Sequence, residues 1–358
     1  MLGPRSPEEG EMGRESDRGA ASRRSWRGSA GALGLLVALA VASPAGSWEA
    51  GGTPGDPREE TSSNSTGPSR SRGFIAAAKE SLVGDVYANP ERWQPLSWGT
   101  LFSEGWDEAW VSPPSGPGGA PRQGWLNSAD GVFYRLVVGG PTYTSGREGA
   151  GGDVWEGGFT AYLPLSRRLE MRFDVPLVRS TQGFEGSGTN ASFGDLRVVP
   201  RILLSETLAV SQCLDLDFRV PTGDLATRTG AASFFPNYQF WANWWGGLVL
   251  RGGVGWRVAY HEPIETGTRS GFLGDLAAGW YWTSHDFTPL GDFVTLVSAN
   301  VFQPTDDRAA RDVTDLSLTP GFRTHLGRDV YLLGALEVPV TFPNSYDYRV
   351  TTDLMWVF

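Results

Sequence analysis

The chain has 358 residues, is rich in glycine (48) and aromatic residues (12%), and has a mean hydropathy of −0.24. A formal net charge of −10 argues against nucleic acid as a partner, because phosphate binding requires a basic surface. The single cysteine, Cys213, excludes an intrachain disulfide, so hydrogen bonds and packing must stabilise the fold.

The first predicted element is a secretory signal peptide over residues 1–42, with cleavage between residues 42 and 47. The apolar run from Ala30 to Ala42 is shorter than the roughly 20 residues that a transmembrane helix needs. Arginines precede this run, and Ala40–Ala42 has the small-residue pattern of a cleavage site. We therefore expect export, and a translation start at Met12 would leave this prediction unchanged.

Two segments without strand periodicity follow. Residues 43–73 combine Gly, Pro, Ser, Thr and charged residues, which predicts a disordered linker. Residues 74–130 form a lead-in rich in Trp, Pro and Gly, with a short helix predicted within residues 74–89. The sequence leaves open whether this lead-in lies in the periplasm or plugs a pore.

From about Gly131 the apolar residues recur with a period of two, the signature of strands with two different faces. The clearest alternation lies in residues 208–220. Twelve strands are predicted, at about 131–141, 154–165, 169–178, 193–205, 208–220, 234–245, 247–260, 271–282, 292–302, 314–325, 330–340 and 347–358. This even number is typical of a transmembrane antiparallel up-and-down β-barrel, here residues 131–358.

The lengths of the predicted connections alternate, as expected for short periplasmic turns and longer external loops. Short turns are expected at 166–168, 206–207, 245–246 and 327–329, and polar loops at 142–153, 179–192, 221–233, 261–270 and 303–313. The connection 283–291 is long for a periplasmic turn. A soluble β-sandwich is the alternative, but tryptophan and tyrosine near strand ends favour a bacterial outer-membrane barrel.

Several short motifs resemble known outer-membrane proteins. Phe358, with Trp356 before it, resembles the C-terminal signal by which such proteins are recognised for barrel assembly. The segments Phe193–Arg197, Pro221–Asp224, Leu336–Val340 and Tyr346–Arg349 resemble the transporter-like outer-membrane proteins grouped with the meta-pathway of phenol degradation. The resemblance covers about residues 131–358 and implies a channel for aromatic or other small compounds.

Catalytic and metal-binding motifs are scarce. The three histidines, His261, His285 and His325, are scattered over the predicted elements, and neither a nucleophile motif nor metal-ligand spacing is evident. His261 beside Glu262 is the one loose candidate for a catalytic pair. We therefore expect no enzyme activity, no cofactor and no metal site.

The candidate functional residues are charged side chains on the predicted inner faces of the strands. They are Glu170, Arg172, Asp174, Asp195, Arg197, Arg201, Asp215, Asp217, Arg219, Arg251, Arg257, Asp275, Arg323, Glu337, Arg349 and Asp353. They either pair across strands and fill the interior, or line a hydrated path and set its selectivity. The sequence leaves both interpretations open.

These features predict a passive outer-membrane channel for small, aromatic or hydrophobic solutes. The expected partners are outer-membrane lipid, the barrel-assembly machinery and a small-molecule solute, and the oligomeric state stays open. Two alternatives remain. One is a non-conducting barrel that anchors envelope components, and the other, less favoured, is an outer-membrane enzyme.

Overall fold

A computed structural model of the protein describes residues 73–147, 152–182, 189–227, 229–260, 268–305, 314–342 and 344–358. The predicted signal peptide, residues 43–72 of the predicted linker, and His261 with Glu262 lie outside the described residues.

Strands dominate the described chain. The helical elements are α1 (Phe74–Val83) and four short 3-10 turns at Pro90–Arg92, Trp98–Thr100, Pro117–Gly119 and Leu225–Thr227. The strands are β1 Leu136–Arg147, β2 Gly152–Pro164, β3 Leu169–Gln182, β4 Thr189–Ser192, β5 Leu196–Glu206, β6 Val210–Val220, β7 Ser233–Trp245, β8 Leu248–Ala259, β9 Gly271–Tyr281, β10 Gly291–Pro304, β11 Asp315–Gly327, β12 Val330–Pro339 and β13 Tyr348–Val357.

The strands form one closed antiparallel barrel. Apart from the short β4, each strand pairs with the strands that precede and follow it, and β1 closes the sheet by pairing with β13, from Leu136↔Val357 to Ser145↔Tyr348. The short β4 and the longer β5 both pair with β3, so the thirteen strands occupy twelve positions around the wall. The prediction of an up-and-down barrel of about twelve strands is confirmed, and a sandwich is excluded because closure leaves no free sheet edge.

The first hairpin is longer than the sequence indicates. A loop was expected over residues 142–153, but β1 and β2 stay paired as far as Arg147↔Gly152. The predicted strand ends at residue 141, directly after Gly139 and Gly140, but β1 continues to Arg147. A Cβ on Gly140 would come 2.1 Å from the carbonyl oxygen of Thr352, so glycine allows close approach to β13.

The first strand also begins later than expected. β1 starts at Leu136 rather than near Gly131. Val132, Phe133 and Tyr134 are buried, and the backbone N–H of Tyr134 donates to Glu170 of β3. Residues 131–135 therefore pack against the inner wall instead of joining the sheet.

Burial in the barrel is the reverse of that in a soluble sheet. The side chains of Arg201, Arg251 and Arg323 are fully buried inside, whereas Leu354 and Trp356 of β13 are more than half exposed outside. The apolar face of the strands therefore points outward, and the charged face surrounds the interior. No helix among the described residues is long and apolar enough to cross a membrane.

Candidate functional site

The two ends of the barrel differ. One end, the short-turn end, holds the connections at 165–168, 207–209, 246–247, 282–290 and 328–329. The opposite end, the long-loop end, holds the longer connections, including 221–232 and 340–347. The connection 282–290 is the long member of the short-turn end, as the sequence indicated.

A collar, residues 84–114, covers the short-turn end. Leu96 exchanges backbone hydrogen bonds with Glu206, the last residue of β5. The guanidinium of Arg168 donates to the carbonyl oxygens of Glu104, Ser97 and Leu203 at 2.9–3.1 Å. Burial lowers the pKa of Arg168 from its usual value. These contacts fix the collar to the rim of the barrel.

The chain then enters the barrel as a plug, residues 115–135. Gly124 and Asn127 have positive φ values of 91° and 51°, a conformation that glycine and asparagine adopt most readily. These two residues allow the plug to reverse direction inside the lumen and return to the short-turn end, where β1 begins. The sequence left the place of this lead-in open, and the structure places this part of it inside the lumen.

The plug contacts the wall on opposite sides. The Asn127 amide donates to Glu337 of β12 at 2.9 Å, and the backbone N–H of Ala129 donates to Asp275 of β9 at 2.9 Å. On the other side, the backbone N–H of Tyr134 donates to the carboxylate of Glu170 on β3 at 3.0 Å. The plug therefore crosses the lumen rather than lining one side of it.

Asp130 is the central residue of the plug. Its carboxylate accepts hydrogen bonds from Arg251 at 2.7 Å and from the hydroxyl of Tyr162 at 3.4 Å. Its backbone N–H donates to Gln239 at 3.0 Å, and its carbonyl oxygen accepts from Arg201. Asp130 could not be identified from the sequence, because it lies in a stretch without periodicity, where nothing indicates an inward side chain.

Three wall arginines hold the plug. Arg201 pairs with Glu170 and with Asp215, and it also donates to plug carbonyls. Arg323 donates to the carbonyl oxygens of Pro121 and Gln123. The third, Arg251, lies 4.1 Å from the ring of Trp125 and donates to the Arg122 carbonyl at 2.6 Å. Charge-assisted hydrogen bonds of this kind are stronger than neutral ones.

Beyond the plug tip, the long-loop half of the lumen contains a vestibule, a cavity of about 490 Å³. Its floor is formed by Asn127, Ser128 and Ala129 of the plug. The predicted residues that line it are Arg172, Asp195, Arg197, Asp215, Asp217, Arg219, Arg257 and Asp275. A second cavity of about 550 Å³ at the short-turn end shares no lining residue with it.

Ion pairs order most charges of the vestibule. Arg219 donates to Asp195 at 2.9 Å, Arg197 pairs with Asp217, and Arg172 pairs with Asp174 at 3.0 Å. The Asp195 carboxylate also accepts the backbone N–H groups of Gly223 and Gly230 at 3.0 and 2.7 Å. Asp195 therefore anchors the 221–232 loop at the mouth as well as binding an arginine.

The remaining predicted inner-face residues lie near β13. Glu337 accepts hydrogen bonds from Arg349 at 2.7 Å, from Ser317 at 2.7 Å and from Tyr346 at 2.5 Å. Asp353 lies on the inner face beside Gly140. The sixteen predicted residues therefore divide between plug contacts, vestibule and nearby wall.

The predicted assembly signal lies at the short-turn end. Trp356 is exposed on the outer surface, and its ring centroid is 4.9 Å from that of Phe358. Arg135 donates to the Phe358 carbonyl oxygen at 2.5 Å and, from the same guanidinium, to the carbonyl of Gly84 after α1 at 3.0 Å. Arg135 thus joins the final strand to the collar.

Two of the histidines are not scattered, so that expectation from the sequence is wrong for them. His285 and His325 stack with ring centroids 4.4 Å apart, and His285 Nδ1 lies 2.7 Å from Asp292 Oδ2. The ligand atoms of the three residues lie within 4.8 Å of one another. The rings are only 20° from parallel, so their in-plane lone pairs do not converge on one ion.

No protein-family model matches the chain, and no curated protein matches it. Among solved structures it is similar to the COG4313 outer membrane channel from Pseudomonas putida F1, with 12% identity, a TM-score of 0.48, and coverage of 66% of this chain and 99% of that one. It is also similar to the KdgM porin, with 8% identity, a TM-score of 0.42, and coverage of 62% and 99%. The barrel described above follows from the strand pairing of this chain itself.

Proposed function

We propose that this protein is an exported bacterial outer-membrane channel for small solutes, closed by its own plug. The observation that carries the proposal is a charge-lined cavity of about 490 Å³ inside a barrel whose outer wall is apolar. Exposed leucine, valine and tryptophan on the strands suit contact with lipid, which offers no hydrogen bonds to polar groups.

The resemblance to transporter-like proteins extends the proposal to aromatic or other small hydrophobic solutes as cargo. The plug occupies the short-turn half through polar contacts with the wall and through apolar packing, because Trp125, Val132 and Tyr134 lie in one buried cluster with wall residues. Moving the plug would expose this cluster as well as the hydrogen-bonding groups to water, which supports a path that is closed at rest.

A reversible covalent lock tests the proposal. A Cβ at Gly253 would lie 3.1 Å from the Cβ of Ala129, near the roughly 3.5–4.5 Å of ordinary disulfides. We would combine Ala129→Cys and Gly253→Cys in a Cys213→Ala background and record single-channel currents in planar bilayers. Oxidation should abolish the current steps, and dithiothreitol should restore them to the level of the background protein.

The matched control is Gly253→Cys alone in the same background, which cannot form the lock. Equal currents from the oxidised and reduced double variant would show that the plug does not control the path. No current in any form, from protein with the heat-modifiable mobility of a folded barrel, would refute the channel.

The second candidate function is a non-conducting anchor for envelope components, and the plug is the observation that favours it. The plug crosses the lumen and contacts β3, β7, β8, β9 and β12. An enzyme is less well supported, because within the described ranges no hydroxyl group hydrogen-bonds to His285 or His325.

A further inference from the structure

One arginine of the vestibule differs from the others. Among the residues that the structure describes, Arg257 has no hydrogen-bond or ion-pair partner, whereas Arg172, Arg197 and Arg219 are each paired with an aspartate. Its guanidinium lies between two aromatic rings, 5.9 Å from that of Phe235 and 5.5 Å from that of Phe302.

The backbone makes room for this arrangement. A Cβ at Gly255 would lie 2.7 Å from the ring of Phe235, and one at Gly271 would lie 2.5 Å from the ring of Phe302. Gly271 is also the residue of β9 that pairs with Arg257. The two glycines leave room for both rings beside the guanidinium, and Arg257 itself lines the cavity.

The nearby carboxylates are already engaged. Asp195 and Asp217 hold Arg219 and Arg197, and Asp275 accepts from the plug at Ala129. Asp275 pairs with Gly253 on β8, farther along the strand from the long-loop mouth than Arg257. A half-buried guanidinium without a carboxylate partner among the described residues favours an anion, and an arginine can bind a carboxylate through two parallel hydrogen bonds.

We propose that the vestibule binds a small organic carboxylate, with Arg257 holding its carboxylate group and Phe235 and Leu273 contacting its apolar body. The cavity volume lies in the usual range for small-ligand sites. This assignment rests on the proposed function, because it takes the vestibule to be part of the solute path. It also specifies that the solute carries a negative charge, which the proposed channel function leaves open.

The test is calorimetric titration of the full-length refolded barrel in detergent with benzoate and with benzyl alcohol, which has a similar ring but no charge. Benzoate should bind at least about tenfold more tightly than the alcohol, and Arg257→Gln should remove that advantage. The matched control is Arg349→Gln, an inner-wall arginine outside the vestibule, which should leave benzoate affinity within about twofold.

Equal affinity for benzoate and benzyl alcohol, or unchanged benzoate affinity in Arg257→Gln, would overturn the assignment. Loss of benzoate affinity in Arg349→Gln as strong as in Arg257→Gln would also overturn it, since the effect would then be general to lumen charge. Binding is measured without current, so a barrel that binds benzoate but never conducts would refute the channel and leave the site.

Discussion

The two halves of the lumen use the same residue type for different tasks. In the short-turn half, Arg251 and Arg323 donate to the plug, mostly to its backbone carbonyl oxygens. In the vestibule, Arg197 and Arg219 pair with aspartates of the wall. An arginine bound to the plug holds that segment across the lumen, whereas an arginine paired with a wall aspartate leaves the lumen beside it open. The two halves therefore differ in what their arginines bind, not in the charge that they carry.

The largest effect is expected from Asp130→Ala, which removes the central contact of the plugged half. Arg251 is fully buried and would lose its carboxylate, and breaking a buried pair in this way costs about 3–5 kcal/mol. We expect the fraction of time spent open in single-channel records to rise at least about a hundredfold, the factor that about 3 kcal/mol implies. Asp107→Ala, at an exposed aspartate of the collar, is the control, and an unchanged open fraction in Asp130→Ala would count against the plug as the closing element.

A smaller effect of the same kind is expected from Arg323→Gln. This change removes two hydrogen bonds to plug carbonyls but leaves Asp130 and its partners in place. The open fraction should rise by about thirtyfold at most, in line with about 1 kcal/mol for each of the two net hydrogen bonds. Ion selectivity should stay as in the wild type, and a shifted reversal potential would argue that the two halves are not separate in function.

Arg219→Glu makes the reciprocal change in the vestibule. It places a second carboxylate beside Asp195. The reversal potential should therefore show greater cation selectivity, with a few-fold increase in the cation-to-anion permeability ratio. The open fraction should not change, because Arg219 does not contact the plug. A reversal potential equal to that of the wild type, at equal conductance, would exclude the vestibule from the ion path.

Phe358→Ala is expected to have no effect on either half of the lumen. Its ring packs on Trp356 and near Arg135 at the rim, outside both cavities. The amount of heat-modifiable protein in the outer membrane should fall several-fold, because the residue is interpreted as an assembly signal. Molecules that do assemble should conduct normally. Phe342→Ala, at a nearly fully exposed phenylalanine, serves as control, and normal levels of Phe358→Ala would contradict the assembly role.

Much of the wall could be predicted from the sequence, because alternation in a strand is a local property. The period of two gave the barrel and the inward direction of residues such as Arg201 and Asp215. It failed after Pro141, where a loop was expected but β1 continues to Arg147. The glycines that precede this point allow close strand contact rather than a turn, and local pattern does not distinguish these two uses of glycine.

The plug could not be predicted in the same way. Asp130 meets Tyr162, Gln239 and Arg251, which lie 32, 109 and 121 positions away in the chain. Contacts between residues so far apart in the chain produce no periodic pattern in the sequence. The composition of a segment rich in Trp, Pro and Gly does not indicate whether it lies inside or outside a pore. Likewise, the sequence placed Arg257 on the inner face but could not show that, of the vestibule arginines, it alone lacks a carboxylate partner among the described residues.

The plug is attached at both of its ends. Before it, the collar is joined to the barrel rim through Leu96 and Glu206, and after it the chain continues directly into β1 beside Arg135. A segment held in this way can leave the lumen only as a loop, never as a free tail. A short tethered loop faces its own binding site at an effective concentration on the order of millimolar. Reclosure is therefore intramolecular, and open intervals should be brief and independent of protein concentration.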